Sequence, residues 1–296
     1  MKLSTRDFAG LRTLSVGHVT HDRYGEQIVP GGCAYYGAQT FHQLGAQTQL
    51  LTAVGDDFLA YEALALFETH VLKGGNTTVF SNIYPPGEPR LQIVETQAPS
   101  IAPAQLPAKF RGADVLFVAP VMGELMEPGW VAAANARIAC AGLQGFLKIG
   151  AEPLGGGRRV RALPEMIDPA LLHGFDAVFL SEEDVAMVGM PEFLDQIISS
   201  VPIVAVTDGE NGCTIYEGGS SFRLGVFPSN TVDPTGAGDT FAAGMSLGLG
   251  LGWSTLDAAR LGTAAASVIV EGWGAQTASD LKQTFERFAD IAIQNH

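Results

Sequence analysis

Basic residues are scarce in this chain of 296 residues: 17 Lys and Arg stand against 31 Asp and Glu, a formal net charge of −14. Nucleic acid is not an expected partner, because a phosphate backbone selects clustered Lys and Arg. Cysteine is scarcer still, and Cys33, Cys140 and Cys213 are far apart, odd in number and in no metal-ligand spacing. They read as small buried hydrophobes of a reduced, cytoplasmic protein. No apolar run is long enough for a membrane span: residues 241–253 are too short and are interrupted by Gly244, Gly248, Gly250 and Gly252. Residues 1–10 hold Lys2, Arg6 and Asp7 without an apolar centre, so neither a secretory signal nor a membrane partner is expected. Internal repeats and low-complexity tracts are absent. So is the G-x-x-x-x-G-K-[ST] phosphate loop.

The composition that remains, 47% hydrophobic and 16% charged, is that of a globular protein able to bury a large core. Short apolar runs at 11–17, 48–54, 115–119, 145–149, 177–180 and 203–207 read as strands. Helical stretches separate them, among them 33–44 and 57–72, and the chain from 236 to 295 is mostly helix with a break at Glu271-Gly272-Trp273-Gly274. This alternation predicts an α/β fold with a doubly wound, mostly parallel sheet covered by helices on both faces. Residues 21–30 and 77–94 alternate polar and apolar instead, the second interrupted at Pro85-Pro86-Gly87. They pair as a small sheet of their own or form two unrelated surface hairpins. Gly155-Gly156-Gly157 reads as a turn between short strands.

The segment richest in chemistry is Asp233-Pro234-Thr235-Gly236-Ala237-Gly238-Asp239-Thr240-Phe241, followed by a long apolar helix. Pro234 and the two glycines turn the chain into a helix start, where unpaired N–H groups and a partial positive charge suit an anion. Asp239 then falls in the first turn beside that anion site. A carboxylate there either accepts a proton from an attacking hydroxyl or complements the helix dipole.

DPTGAGDTFAAG resembles the C-terminal signature of the ribokinase-like (phosphofructokinase B, pfkB) carbohydrate kinases. Gly31-Gly32 with the following helix and Thr52-Ala53-Val54-Gly55-Asp56-Asp57 resembles that family's N-terminal signature. Thr207-Asp208-Gly209-Glu210-Asn211-Gly212 resembles its nucleotide turn, and the three occur in the family's order. The resemblance implies a Rossmann-like domain (1–19, 31–76, 95–296) with a β-lid (20–30, 77–94), ATP as donor and Mg²⁺ as partner. It implies Asp239 as catalytic base and Gly236, Ala237 and Gly238 as the anion hole. Asp22, Gly31, Gly32 and Tyr36 fall on the substrate side, and Thr207, Gly209, Gly212 and Thr263 on the nucleotide side. K⁺ between 231–235 and 271–275, and pairing of two copies through Ile28, Val79 and Ile83 of the lid, are further implications.

Departures from the family pattern sharpen the expectation. Ser181-Glu182-Glu183-Asp184 stands where Asn-x-x-Glu is usual, leaving Asp184 or Glu183 to organise Mg²⁺. The same run reads as a helix start with Ser181 as cap. Cys33-Ala34-Tyr35-Tyr36 stands where polar sugar contacts are usual. Arg23 and Arg90 are the lid's cations, too few for a substrate phosphate, so an uncharged sugar or polyol is expected. Shorter matches at 17–22, 77–80, 179–183 and 207–216 resemble the myo-inositol kinase branch. The alternatives are a nucleoside kinase, with Tyr35, Tyr36 and Phe80 clamping a base, and a catalytically silent ligand sensor. His18 and His21 read as structural histidines or as hydroxyl contacts.

Overall fold

A computed structural model describes residues 3–83, 91–162, 167–291 and 293–294. The first strands are β1 (Arg12–Val16), β2 (Thr20–Tyr24) and β3 (Gln27–Gly31), leading into helix α1 (Cys33–Gln43) and β4 (Gln47–Val54). Then come α2 (Tyr61–Leu64), β5 (Glu68–Lys73), β6 (Val79–Ile83), β7 (Leu91–Thr96), β8 (Val115–Val118), α3 (Trp130–Ala134) and β9 (Ile138–Gly142). The middle of the chain supplies β10 (Lys148–Leu154), β11 (Gly157–Ala162), α4 (Pro169–Leu172), β12 (Ala177–Ser181), α5 (Glu182–Val188) and α6 (Phe193–Ser200). The rest is β13 (Ile203–Thr207), β14 (Cys213–Glu217), β15 (Ser220–Leu224), α7 (Ala237–Gly250), α8 (Thr255–Ile269), α9 (Thr284–Arg287) and β16 (Ile293–Gln294).

Among the described residues these strands make a ten-stranded sheet ordered β16-β15-β14-β13-β12-β9-β8-β1-β4-β5 and a six-stranded sheet ordered β10-β11-β7-β6-β2-β3. From β13 to β5 every pairing of the large sheet is parallel, while β14, β15 and β16 run antiparallel at one end. Its inner strands β1, β4, β8, β9, β12 and β13 are largely buried, as parallel strands are when helices cover both sides, while edge strand β5 is only partly covered. Leu14, Val16, Leu116 and Val118 belong to one core cluster, and Phe117 with α1, α7 and α8 belongs to the other.

The two alternating segments do pair with each other: β2 runs parallel to β6 through His21↔Val79, Asp22↔Phe80 and Arg23↔Ser81. The small sheet also takes in β10 and β11, which the sequence pattern placed with the main domain. Pro85-Pro86-Gly87 and Arg90 lie outside the described residues.

Three expected elements are corrected. Residues 57–72 are not one helix: one short turn of helix, α2, is followed by β5, which pairs with β4 from Gln49↔Glu68 to Val54↔Lys73. β-Branched Thr69 and Val71 favour that strand. Residues 145–149 are not one strand: a 3₁₀ turn at Gln144–Leu147 precedes β10. The strand of the large sheet here is β9, whose small Ala139-Cys140-Ala141 core carries weak β propensity. The C-terminal end, finally, closes as β16 against β15 instead of continuing as helix.

Candidate active site

Strand order reverses between β1 and β8, and in open α/β sheets ligands collect at the carboxyl ends of strands beside such a switch. The chain leaving β1 runs through Gly17 and His18 to Asp22, and returns as Gly31-Gly32 into α1. The chain leaving β9 reaches Lys148, that leaving β12 reaches Ser181–Asp184, and that leaving β13 reaches Thr207–Gly212.

Two helix starts face this edge. At α7, Gly236 is the N-cap with φ +80°, and a methyl group added there would strike the ring of Tyr36. Glycine is therefore required twice over, by backbone region and by the neighbouring ring. The Ala237 N–H already donates to Pro234 O at 3.1 Å, and Thr240 N–H to Gly236 O at 2.9 Å. Between them, the N–H groups of Gly238 and Asp239 have no acceptor among the described residues, and a Cβ on Gly238 would meet open space. The Gly236 N–H is likewise without an acceptor among the described residues, so the available donors are Gly236, Gly238 and Asp239, with Ala237 committed to its turn. At α1, Gly32 is the N-cap at φ +98°, and the Asp22 carboxyl lies where a side chain on Gly31 would be. Thr20 Oγ1 donates to Asp22 Oδ1 at 2.8 Å.

The Asp239 carboxyl is enclosed by protein although part of the residue meets solvent through the cleft. Burial pushes its pKa up to about 6; the Cys33 thiol and the Lys148 ammonium pull it down, while the charges of Asp184 and Asp22 push it further up. Cys33, the first residue of α1, donates to Gln144 Oε1 at 3.8 Å and sits near enough to Asp239 for the two groups to shift each other's ionisation. Burial, then the Asp239 charge, raises the Cys33 thiol well above its usual range, so it stays protonated and acts as a donor. Tyr36 is likewise held neutral, first by burial and then by Asp22, Tyr24, Asp233 and Asp239.

Asp184 is buried, and Ser181 N–H and Oγ–H both donate to its Oδ2, at 2.9 and 2.8 Å, as the α5 capping box. Glu183 is exposed, so Asp184 is the acid of that run whose charge reaches Asp239. Among the described residues no cluster of three or more His, Cys, Asp or Glu forms a metal cage.

Gly209 and Gly212 have φ of +51° and +96° and close the turn after β13, where Asp208 N–H donates to Gly212 O at 2.8 Å. Thr207 is half-buried at the mouth of that turn. Thr263 lies deeper, in the α8–β14 contact, donating to Ala259 O at 3.0 Å and lying 4.0 Å from Cys213 Sγ. It is part of the floor behind Gly212. Asp233 binds Thr235 N–H and Gly274 N–H, each at 2.9 Å, and so joins segments 231–235 and 271–275.

Several singled-out residues are structural. His18 is fully buried and donates from Nε2 to Pro99 O while Nδ1 accepts from Thr78 Oγ1, both at 2.9 Å. His21 Nε2 accepts from Leu59 N–H at 3.0 Å and stacks on Phe58. The Tyr35 hydroxyl accepts from Gln39 at 2.8 Å, and Arg23 pairs with Glu95. Asp57 binds Thr77 through both N–H and hydroxyl, tying the end of β4 to the start of β6. Pattern reading missed Lys148 and the place of Cys33. Lys148 sits in an apolar run without a motif, whereas Cys33 directly follows Gly31-Gly32 at a helix start.

Residues 159–282 match the pfkB family carbohydrate kinase model. An inositol 3-kinase of Arabidopsis thaliana is 27% identical over 288 residues, covering 92% of this chain and 77% of that protein. The Oryza sativa inositol 3-kinase is 46% identical over 74 residues, which is 25% of this chain and 19% of the rice protein. A cytidine kinase of Thermococcus kodakarensis is 26% identical over 283 residues, 88% of this chain and 96% of that one. Among solved structures, a sulfate complex of a pyrophosphate-dependent kinase in the ribokinase family superposes with TM-score 0.76 at 20% identity, covering 89% of this chain and 96% of that one. A complex of a pyrophosphate-dependent kinase of that family with a pyrophosphate analogue and myo-inositol gives TM-score 0.74 at 20% identity, over the same shares of both chains. Over residues 159–282 the chain is similar to the pfkB family carbohydrate kinases, and its fold is that of the ribokinase-family structures.

Proposed function

We propose that this protein transfers the terminal phosphoryl group of ATP to a hydroxyl of a small uncharged sugar or polyol, with myo-inositol as the leading acceptor. The observation that carries the reading is Asp239: a carboxyl with its pKa raised to about 6, at a helix start whose Gly236, Gly238 and Asp239 N–H groups have no acceptor among the described residues. An acceptor hydroxyl held between Asp22 and Asp239 gives its proton to Asp239 as its oxygen attacks phosphorus. The Gly238 and Asp239 N–H groups receive the developing charge, each contributing a factor on the order of 10²–10³ in rate. Thr207, Gly209 and Gly212 border the nucleotide, with Thr263 behind them. Gly31 and Gly32 give the acceptor room, and Tyr36 walls the site. Asp184 would hold Mg²⁺, which would supply screening of the donor phosphates beside the acidic site.

An uncharged acceptor is favoured because Arg23 is already paired with Glu95. A nucleoside acceptor loses most of its expected clamp, since Tyr35 and Phe80 are buried in the core. A monovalent cation such as K⁺ would sit between segments 231–235 and 271–275, held by backbone carbonyls, because the Asp233 carboxylate is already engaged by two N–H groups. Pairing of two copies would use edge strand β3, with Ile28, and exposed Ile83; Val79 is buried within the chain and is unavailable.

The test is phosphoryl transfer measured across inositols, pentoses, hexoses, sugar phosphates, cytidine and adenosine, with ATP and with pyrophosphate as donors, in K⁺ and in Na⁺. ATP-dependent product on one uncharged polyol is the expected result. Turnover confined to a nucleoside or to a sugar phosphate would refute the acceptor class, and turnover with pyrophosphate alone would refute the donor. No turnover with any pair, despite nucleotide binding, would leave the chain a silent sensor.

A further inference from the structure

We propose that Lys148 is a catalytic residue of this site, its ammonium contacting the phosphoryl group during transfer. The proposal rests on the phosphotransferase reading. Lys148 opens β10, where the chain crosses from the large sheet to the small one, and is only 6% exposed. Lysine is almost never buried so far without a charge to meet. Gln144, four residues before it, lies 3.8 Å from Cys33 at the start of α1, and the Lys148 charge reaches both the Cys33 thiol and the Asp239 carboxylate.

The backbone that delivers Lys148 is rigid. Gly145 packs against the Pro120 carbonyl with no room for a side chain, Gly123 N–H donates to Gly145 O at 2.7 Å, and Lys148 is in register with Ala162 of β11. Gln144, one turn earlier, touches Cys33. The strand start is therefore held on both sides of the residue, as a positioned charge must be.

The remaining charges around Asp239 and Cys33 are acidic: Asp22 on β2, Asp184 on α5 and Glu124 after β8. A triphosphate entering such a place is repelled unless a cation meets it. Lys148 is the buried cation near these groups that can meet the phosphoryl oxygens when the donor binds, while Asp239 accepts the proton. In the transfer, the acceptor oxygen forms a bond to the γ-phosphorus. The bond from that phosphorus to the β-phosphate bridging oxygen breaks, with its electron pair leaving on ADP, and the acceptor's proton passes to Asp239. Lysine and arginine clamps on transferring phosphoryl groups act in this way.

Lys148→Met and Lys148→Arg, compared with wild type in the full chain, test it through two readouts: binding of ADP and of the analogue AMP-PNP, and turnover on an acceptor that wild type phosphorylates. Lys148→Met is expected to lose kcat by about 10²–10³ and to weaken AMP-PNP binding by about tenfold, with ADP binding unchanged. Lys148→Arg should recover part of both losses. Lys148→Met with near-wild-type kcat, or with ADP and AMP-PNP weakened alike, would overturn the proposal and leave Lys148 a structural counter-ion. Should the Met variant fail to fold, Lys148→Gln is read by the same criteria. If wild type itself turns over no acceptor, the kinase reading fails, whereas the ADP against AMP-PNP comparison still decides whether Lys148 meets the terminal phosphate.

Discussion

Asp239 must be buried enough to hold a proton and ionised enough to take one. Burial raises its pKa to about 6, with Cys33 and Lys148 opposing that rise. Turnover should therefore rise through about pH 6 as the carboxyl ionises and level off above it. Stability should move the opposite way. A carboxyl whose folded pKa is raised favours folding fully below its unfolded pKa, and that contribution is lost as pH rises through 6. Asp239→Asn is accordingly expected to stabilise the free protein at pH 7.5 by about 2 kcal/mol, less whatever solvent in the cleft screens, and by almost nothing at pH 4. Calorimetry at both pH values checks this, and equal melting shifts at the two would contradict the burial argument. Gly236→Ala should be damaging for a different reason, because a β-carbon there meets the Tyr36 ring at positive φ. A loss of about 1–3 kcal/mol in denaturant unfolding is expected. These residue-scale facts divide in legibility. Asp239 and the glycines stand in a motif and could be read directly. Lys148 could not, since its charge reaches Asp239 across 91 positions and depends on the chain crossing from the large sheet to the small one at β10.

At the scale of elements, the packing of α7 on α8 sets the helix start that carries Asp239. Gly244 and Gly248 look like interruptions in the sequence, yet α7 runs through both, and they let α8 approach closely. A β-carbon on Gly244 would come 2.9 Å from the Gly262 Cα, and one on Gly248 would come 2.7 Å from the Ala258 Cα. Gly244→Leu is expected to push the helices apart, costing about 2–3 kcal/mol, and to lower turnover by moving the start of α7. Wild-type stability in that variant would show the contact to be loose. The helix predicted over 57–72 failed because its apolar spacing fits a helix as far as Phe67. The same residues must also leave an edge for β4, and β5 satisfies the β4 backbone groups, which outweighs local periodicity. Cys33–Gln43 and Gln47–Val54 were legible because periodicity, the closing Gly45 and burial agree there.

For the whole molecule, two sheets meet at the switch point, and the N-terminal signature holds them together. Asp57 grips Thr77, Thr52 Oγ1 accepts from Val19 N–H at 2.8 Å, and His18 bridges Thr78 and Pro99. That motif reads in the sequence as functional; in the fold it is the joint between the sheets. Its role was hidden because every one of these bonds links segments distant in sequence. The α/β class and the pairing of β2 with β6 were legible from alternation, whereas the part of β10 and β11 in the small sheet was not, since a short hairpin does not announce its neighbour.

The central claim is that Asp239 takes the acceptor's proton, and single-turnover transfer from ATP to the preferred polyol, compared between wild type and Asp239→Asn at pH 7.5, tests it most directly. The variant is expected to bind nucleotide and polyol normally, with a transfer step slower by about 10²–10⁴. A variant that transfers phosphate at close to the wild-type rate would contradict the claim.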